Sequence, residues 1–414
     1  MKNDINLRIN LSTITFKEFE NVIIYFLIFL LAFLQRANDP LSFLNNFNFF
    51  FKVILGITFL VLFLKEFPKI FDINHNIWLF SFIILLLISS FWSISFKQTF
   101  EKSIWLIIST SFSYYLFLRF GFTKFLQIIF ISLLFILAAS LILIAIFPEK
   151  GIHLNELHYG AWRGIYFHKS GLGREMVLAG LIGLYIIRKP YNLIFFLICS
   201  IIVYMTQSII SVFCMTLIIT YYFGSIYIKK IKESRRYYFE VIIIILLLLL
   251  SVVVINYVVV LNLVNKDITF SGRVPIWLYA IYNIKLQPLL GYGYGVFWEY
   301  DIFELYSTWD IPHAHNHFLD VLLDVGIIGL VVFFIVLLSF FIKSYKVKSI
   351  NPDLFDVIFL SVVALLLISS SENSIHQPYN LLWIYFCCIV LYSTNSSKKI
   401  FDNSHLLSDG LFRY

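Results

Sequence analysis

The chain has 414 residues, 60% of them hydrophobic and 13% charged, with a mean hydropathy of +0.87 and a formal net charge of +7. That balance excludes a soluble globular domain and a disordered chain. It also excludes nucleic acid as the partner of the positive charge, because no soluble domain gathers Lys and Arg into one basic patch.

A hydrocarbon core of about 30 Å needs roughly 20 apolar residues per helix. Apolar runs of that order predict twelve spans, at 20–36, 48–64, 77–94, 103–119, 125–147, 171–187, 191–206, 208–228, 239–262, 316–342, 355–370 and 379–394. The runs are continuous rather than alternating, so helices are expected and barrel strands are not. The fold class is therefore all-α: a single polytopic membrane helix bundle over 1–414 with about 12 transmembrane helices. The first run lacks a small-residue cleavage site and is expected to stay as a span. With the N-terminus inside, 20 of the 31 Lys and Arg fall on the inner face, including those of 229–236 and 343–348. Both termini are then cytoplasmic, and two ordered loops, 148–170 and 263–315, face outward. Cys199, Cys214, Cys387 and Cys388 all lie in apolar runs, without metal-ligand spacing, and read as buried hydrophobes.

The outer loops hold the polar chemistry. Loops this long in a compact protein tend to be functional, and the larger is too aromatic to be floppy. It is expected to carry short helices near 274–284 and 298–306, interrupted by Pro288 and Gly291. Arg163, Lys169 and Arg174 occur within twelve positions in WRGIYFHKSGLGRE, and Arg273 stands alone in the second loop. Arg163 and Lys169 fit either lipid headgroups or an anionic ligand. Arg174 falls inside the start of an apolar span, where a cation costs about 2.5–3.5 kcal/mol at mid-bilayer. It must pair with Glu175, another buried acid or an anion, and its planar fork suits a diphosphate.

Gly291-Tyr-Gly-Tyr-Gly295 has the glycine count of a phosphate cradle but follows no strand. A tight turn flanked by aromatics, either an interfacial belt or a platform for sugar rings, is the better physical account. His313, His315 and His317 stand at i, i+2 and i+4 ahead of a span carrying Asp320 and Asp324. No third metal ligand of convincing spacing is near. The histidines fit either a structural role at the helix start or removal of a proton from an incoming hydroxyl.

Taken together, these segments resemble the O-antigen ligase and Wzy-type polysaccharide polymerase superfamily. The resemblance rests on four motifs in order: W-R-G-x-x-x-H-K at 162–169, S-G-R at 271–273, G-x-G-x-G-x-F at 291–297, and A-H-N at 314–316 before a helix with G-x-x-G at 326–329. It covers both outer loops and the spans between them. It implies a metal-independent, inverting glycosyltransferase of the bacterial inner membrane, without a cofactor, its active site on the periplasmic side. The donor would be an undecaprenyl-diphosphate-linked glycan. By position, Arg163, Arg174 and Arg273, with Lys169, would grip the diphosphate. His315 would activate the acceptor, with His313 the alternative, and His168, Asn316, Gly291, Gly293 and Gly295 would support the site. The wording GYGYGVFW with AHN inclines to an O-antigen or exopolysaccharide polymerase. The alternatives are a ligase acting on lipid A–core and an oligosaccharyltransferase acting on protein. A twelve-span transporter is the reading from outside this class; it should show internal repeats and mid-membrane charges, and neither is evident.

Overall fold

The structure is a computed structural model that describes residues 16–34, 42–72, 76–154, 158–228, 273–299, 313–371 and 375–395. Among these residues it is helical throughout: α1 (Phe16–Leu34), α2 (Ser42–Glu66), α3 (Ile77–Ile88), α4 (Phe96–Arg119), α5 (Phe122–Ile146), α6 (Pro148–Gly151), α7 (Lys169–Ile186), α8 (Tyr191–Met205), α9 (Ile209–Ile228), α10 (Arg273–Leu286), α11 (His317–Ile350), α12 (Pro352–Ser369) and α13 (Leu381–Thr394). The one β contact among them is an isolated bridge between Ile152 and Trp162.

Helices α5, α11 and α12 are long and apolar enough to cross a membrane; Glu20–Leu31, Ile77–Trp92, Tyr191–Met205, Ile209–Ser225 and Leu381–Thr394 are shorter apolar helices. The ninth expected span, 239–262, and the basic run 229–236 lie outside the described residues. Of the two short helices expected in the larger outer loop, the first is present as α10. The second begins at Trp298, which with Glu299 forms part of a turn; 300–306 is not described.

Helix α13 is the central stave. Every residue from Leu381 to Ser393 is buried, as an all-round apolar helix requires. Its few polar atoms are spent on neighbours: Trp383 Nε1 donates to Thr110 Oγ1 at 3.0 Å and Tyr392 OH to the Phe120 carbonyl at 2.7 Å. Asparagine side chains cap α3, α11, α12 and α13 at Asn76, Asn316, Asn351 and Asn380, each accepting backbone N–H groups of the first turn. Each such cap contributes about 1 kcal/mol. At one end of the bundle, Glu20 at the start of α1 accepts from Lys65 of α2 and from Tyr115 and Arg119 of α4. The start of α1 and the ends of α2 and α4 thus share one end.

Sequence periodicity reads 316–342 as one uninterrupted span, and here the structure differs. Val325 and Gly326 leave helical geometry, Gly326 at φ 65° and ψ −164°. The break divides α11 into a short segment, 317–324, and a long one, 327–350, about 36 Å at 1.5 Å per residue. It removes the bonds that Ile327 and Ile328 would make to the carbonyls of Leu323 and Asp324. The turn after α10 replaces all four partners. Ile327 N–H donates to the Pro288 carbonyl at 2.8 Å and Ile328 N–H to that of Leu289 at 3.3 Å, while Tyr292 and Gly293 N–H donate to the carbonyls of Leu323 at 2.7 Å and Asp324 at 2.9 Å. An orphaned backbone group costs several kcal/mol in hydrocarbon, so the turn and the break require each other. The fit explains the glycines: a Cβ on Gly291 would lie 2.5 Å from the Leu323 carbonyl oxygen, and one on Gly326 would overlap the Leu289 carbonyl.

Candidate functional site

The glycine turn is a brace whose amides are already occupied. Besides Tyr292 and Gly293, Tyr294 N–H donates to Ser89 Oγ at 3.0 Å and Gly295 N–H to Asp324 Oδ1 at 2.9 Å. Those four N–H groups have no capacity left for a phosphate. Trp92 Nε1 donates to the Leu290 carbonyl, and Lys102 Nζ binds the Gly295 carbonyl and Glu299, so the 3-10 turn after α3 and helix α4 also pin the turn.

The brace also holds the histidine loop. Residues 313–316 lead into α11, whose Asn316 cap accepts from Phe318 and Leu319 N–H. Asp320 Oδ1 accepts from Ala314 N–H at 2.9 Å and from Trp298 Nε1 at 2.8 Å, and Trp277 Nε1 of α10 donates to the Ala314 carbonyl at 2.8 Å. His315 sits in the left-handed region at φ 51°, and its ring meets that of His313 at 4.3 Å. His315 N–H donates to His313 Nδ1 at 3.1 Å. The His313 Nδ1 lone pair is therefore spent on backbone, whereas the His315 side chain takes no part in that bond.

Sequence reasoning missed a buried chain behind this loop. His376 Nε2 lies 3.1 Å from Asp324 Oδ2, and His376 Nδ1 lies 2.9 Å from His317 Nδ1. With Asp324 ionised, His376 Nε2 carries the donated proton, so its Nδ1 accepts from His317 Nδ1–H. Asp324 thereby ties the glycine turn, the helix break and two histidines together. Tyr294 OH donates to the His376 carbonyl, closing the cluster. His376 lies in the polar stretch between α12 and α13, far from any motif. Its only sequence signal is a histidine interrupting apolar helices.

The basic residues occupy two neighbouring places. Arg163 and His168 line a cleft of about 420 Å³ in the segment between α5 and α7, with Glu149, His153, Leu154, His158 and Phe167. Arg163 is anchored there, donating through Nε to the Lys150 carbonyl at 2.8 Å and through a terminal nitrogen to that of Glu149 at 3.4 Å. His168 caps α7, its side chain accepting from Ser170 N–H. Lys169 Nζ donates to the Gln207 carbonyl at 3.3 Å. Burial, and then the charge of Arg273, lower the Lys169 ammonium below its ordinary value. The charge of Arg273 at the start of α10 therefore reaches Lys169 at the start of α7. Arg174 is not part of the cleft lining; its Nε faces the fully buried Glu175 carboxylate at 3.7 Å. Arg273 begins α10 and stands one turn before Trp277, which holds Ala314. Ser271 and Gly272 lie outside the described residues.

Among the described residues, fold and site together define an all-helical chain with helices long and apolar enough to cross a membrane, a cleft of histidines around Arg163, and a histidine loop held by the glycine turn and the broken helix α11. A family model described as O-Antigen ligase matches residues 194–334, about a third of the chain. That window contains Arg273, the glycine turn, His313, His315 and Asn316; it begins after Arg163, Lys169 and Arg174. The exopolysaccharide production protein ExoQ of Rhizobium meliloti (strain 1021) is 30% identical over 132 residues, which is 30% of this chain and 30% of that relative. The match thus spans about a third of the curated relative's length. Over these residues the chain is similar to the O-antigen ligase family and to a protein of exopolysaccharide production, the resemblance its motifs also carry.

Proposed function

We propose that the protein transfers a glycan from an undecaprenyl-diphosphate carrier to an acceptor hydroxyl at the periplasmic face of the bacterial inner membrane, acting as a polymerase of O-antigen or exopolysaccharide type. The observation that supports this is the electrostatic reach between two cations about 100 residues apart in sequence: the charge of Arg273 bears on Lys169. Positive charge of this kind in a largely apolar protein attracts an anion, and a lipid diphosphate is one that a guanidinium binds through paired, charge-assisted hydrogen bonds.

Neutralising the developing charge on the departing diphosphate is the main catalytic requirement. Arg163, Lys169, Arg174 and Arg273 supply that charge. His315, on a loop pinned by Asp320, Trp277 and Trp298, accepts the acceptor hydroxyl's proton as the bond from the anomeric carbon to the diphosphate oxygen breaks and the new glycosidic bond forms. Attack opposite the leaving group inverts the anomeric centre, and no metal or cofactor enters this scheme. The chain Asp324–His376–His317 keeps the support rigid from behind.

The polymerase reading is supported by the GYGYGVFW and AHN wording and is compatible with a relative named for exopolysaccharide production. The test is transfer by purified protein in nanodiscs, using a lipid-diphosphate-linked repeat unit. Lengthened glycan on the lipid carrier is the polymerase result, and glycan moved to lipid A–core or to protein is the ligase or oligosaccharyltransferase result. Absence of any transfer overturns the reading.

A further inference from the structure

Three histidines of the first outer loop have no part in that scheme as catalytic groups. His153, His158 and His168 pack ring against ring, with centroids 5.6 Å apart for 153–158 and 153–168 and 5.2 Å apart for 158–168. All three line the 420 Å³ cleft that contains Arg163, a size within the roughly 300–1,000 Å³ typical of small-ligand sites.

The cleft is built rather than incidental. His153 N–H donates to the Ala161 carbonyl, its own carbonyl accepts from Gly160, and Arg163 N–H donates to the Gly151 carbonyl. His153 is only 8% exposed, and its Nε2 has no hydrogen-bond partner among the described residues. A buried ring nitrogen of this kind is a cost that a ligand atom relieves.

The surrounding charge decides the sign of that ligand. Glu149 and Lys150 come from α6, His158 and Arg163 from the loop, and His168 and Lys169 from the start of α7. Burial, then Arg163, His158 and Lys169, push the His153 imidazole down to about 4, so it is neutral at physiological pH. A further cation would meet Arg163 and Lys169. Among the described residues no group of His, Cys, Asp and Glu is arranged to hold a metal ion. An oxyanion would instead offset the cations and make a protonated imidazole favourable.

We propose that this cleft is an oxyanion subsite in which the His153–His158–His168 cluster takes up a proton as the anion enters. The inference rests on the glycan-transfer reading: the oxyanion is a phosphoryl or carboxylate group borne by the substrate, either the carrier's diphosphate or an acidic substituent of the glycan. No covalent step is involved. The proton comes from solvent and resides on an imidazole, whose N–H then donates to the anion beside Arg163. Linkage fixes the pH dependence. The free cluster loses its proton at lower pH than the complex does, so affinity falls as pH rises between the two values, by up to about tenfold per pH unit for one proton.

The experiment uses full-length protein in phosphatidylcholine nanodiscs, titrated calorimetrically with inorganic sulfate, whose charge is constant between about pH 5 and 8. We expect binding to tighten about three- to tenfold per pH unit from pH 7.5 to 5.5, with proton uptake that varies with the buffer's ionisation heat. His153→Gln should flatten that dependence. His158→Gln, at a less buried ring, gives the same readout should the first variant fail to fold. Arg163→Lys should weaken binding at every pH. Displacement of sulfate by farnesyl diphosphate assigns the subsite to the carrier, and displacement by galacturonate assigns it to a glycan substituent. No sulfate binding, pH-independent binding, or displacement by neither probe overturns the proposal. Because sulfate binding needs no turnover, such a failure leaves the transferase reading to its own assay.

Discussion

Substituting Gly326→Ala attacks the joint on which the site is built. Its backbone, at φ 65° and ψ −164°, lies in a region open essentially to glycine alone, which costs another residue about 1–3 kcal/mol. The added Cβ would also overlap the Leu289 carbonyl, so the turn must move away. That movement acts on the four bonds of Ile327, Ile328, Tyr292 and Gly293 across the break. Losing two of them, at about 1 kcal/mol each, brings the expected cost to about 3–5 kcal/mol. At 1.4 kcal/mol per decade this raises local opening by about 10²- to 4 × 10³-fold. Hydrogen exchange followed by mass spectrometry should show that loss of protection in peptides covering 288–295 and 323–328. Gly224→Ala is the control, since a Cβ there meets nothing within 4 Å. Unchanged exchange at 288–295 in Gly326→Ala would refute the brace.

Arg273→Ala should abolish transfer while the protein stays folded, and Arg273→Lys should restore only part, because an ammonium lacks the paired donors of the guanidinium; full activity of Arg273→Ala in a transfer assay contradicts the diphosphate role. His315→Ala should lower kcat by about 10²–10⁴-fold and His313→Ala by less, the range expected for a general base; equal effects would move the assignment. Asp324→Asn should lower thermal stability by about 1–3 kcal/mol, because the buried cluster loses its charged acceptor; an unchanged melting curve would discount it. Since His153 is held near 4 against an ordinary 6.5, the unfolded chain binds more protons between those values. Stability should therefore fall as pH drops from 6.5 towards 4, and His153→Gln should reduce that fall in a pH series of melts.

The helices were legible because the apolar runs are long and continuous; the asparagines that cap four of them emerged only with the structure. The break in α11 was not legible. Apolar residues run through 316–342 without a proline, and the groups that repair the break belong to a turn more than 30 residues earlier. The glycine turn itself was legible as a turn, and the amide partners show why its glycines are needed. The cations stood out in the sequence because the orientation expected from Lys and Arg leaves them on the outer side. His376 carried no such mark: a single histidine between spans becomes meaningful only when the fold sets it between Asp324 and His317. The histidine cluster around Arg163 was half visible, through His168 in its motif. His153 and His158 join it through the hairpin-like path closed by the Ile152–Trp162 bridge.

In the proposed mechanism, Lys169 and Arg273, from segments about 100 residues apart, grip one lipid diphosphate. The most direct measurement is binding of a diphosphate-bearing lipid to purified protein, with Lys169→Ala, Arg273→Ala and the double variant compared in a double-mutant cycle. The account predicts that each single variant weakens binding at least tenfold and that the double variant is weaker than either yet less than the product of the two effects, since both side chains act on the same anion. Binding unchanged by Arg273→Ala, or effects that multiply as for independent sites, would contradict it.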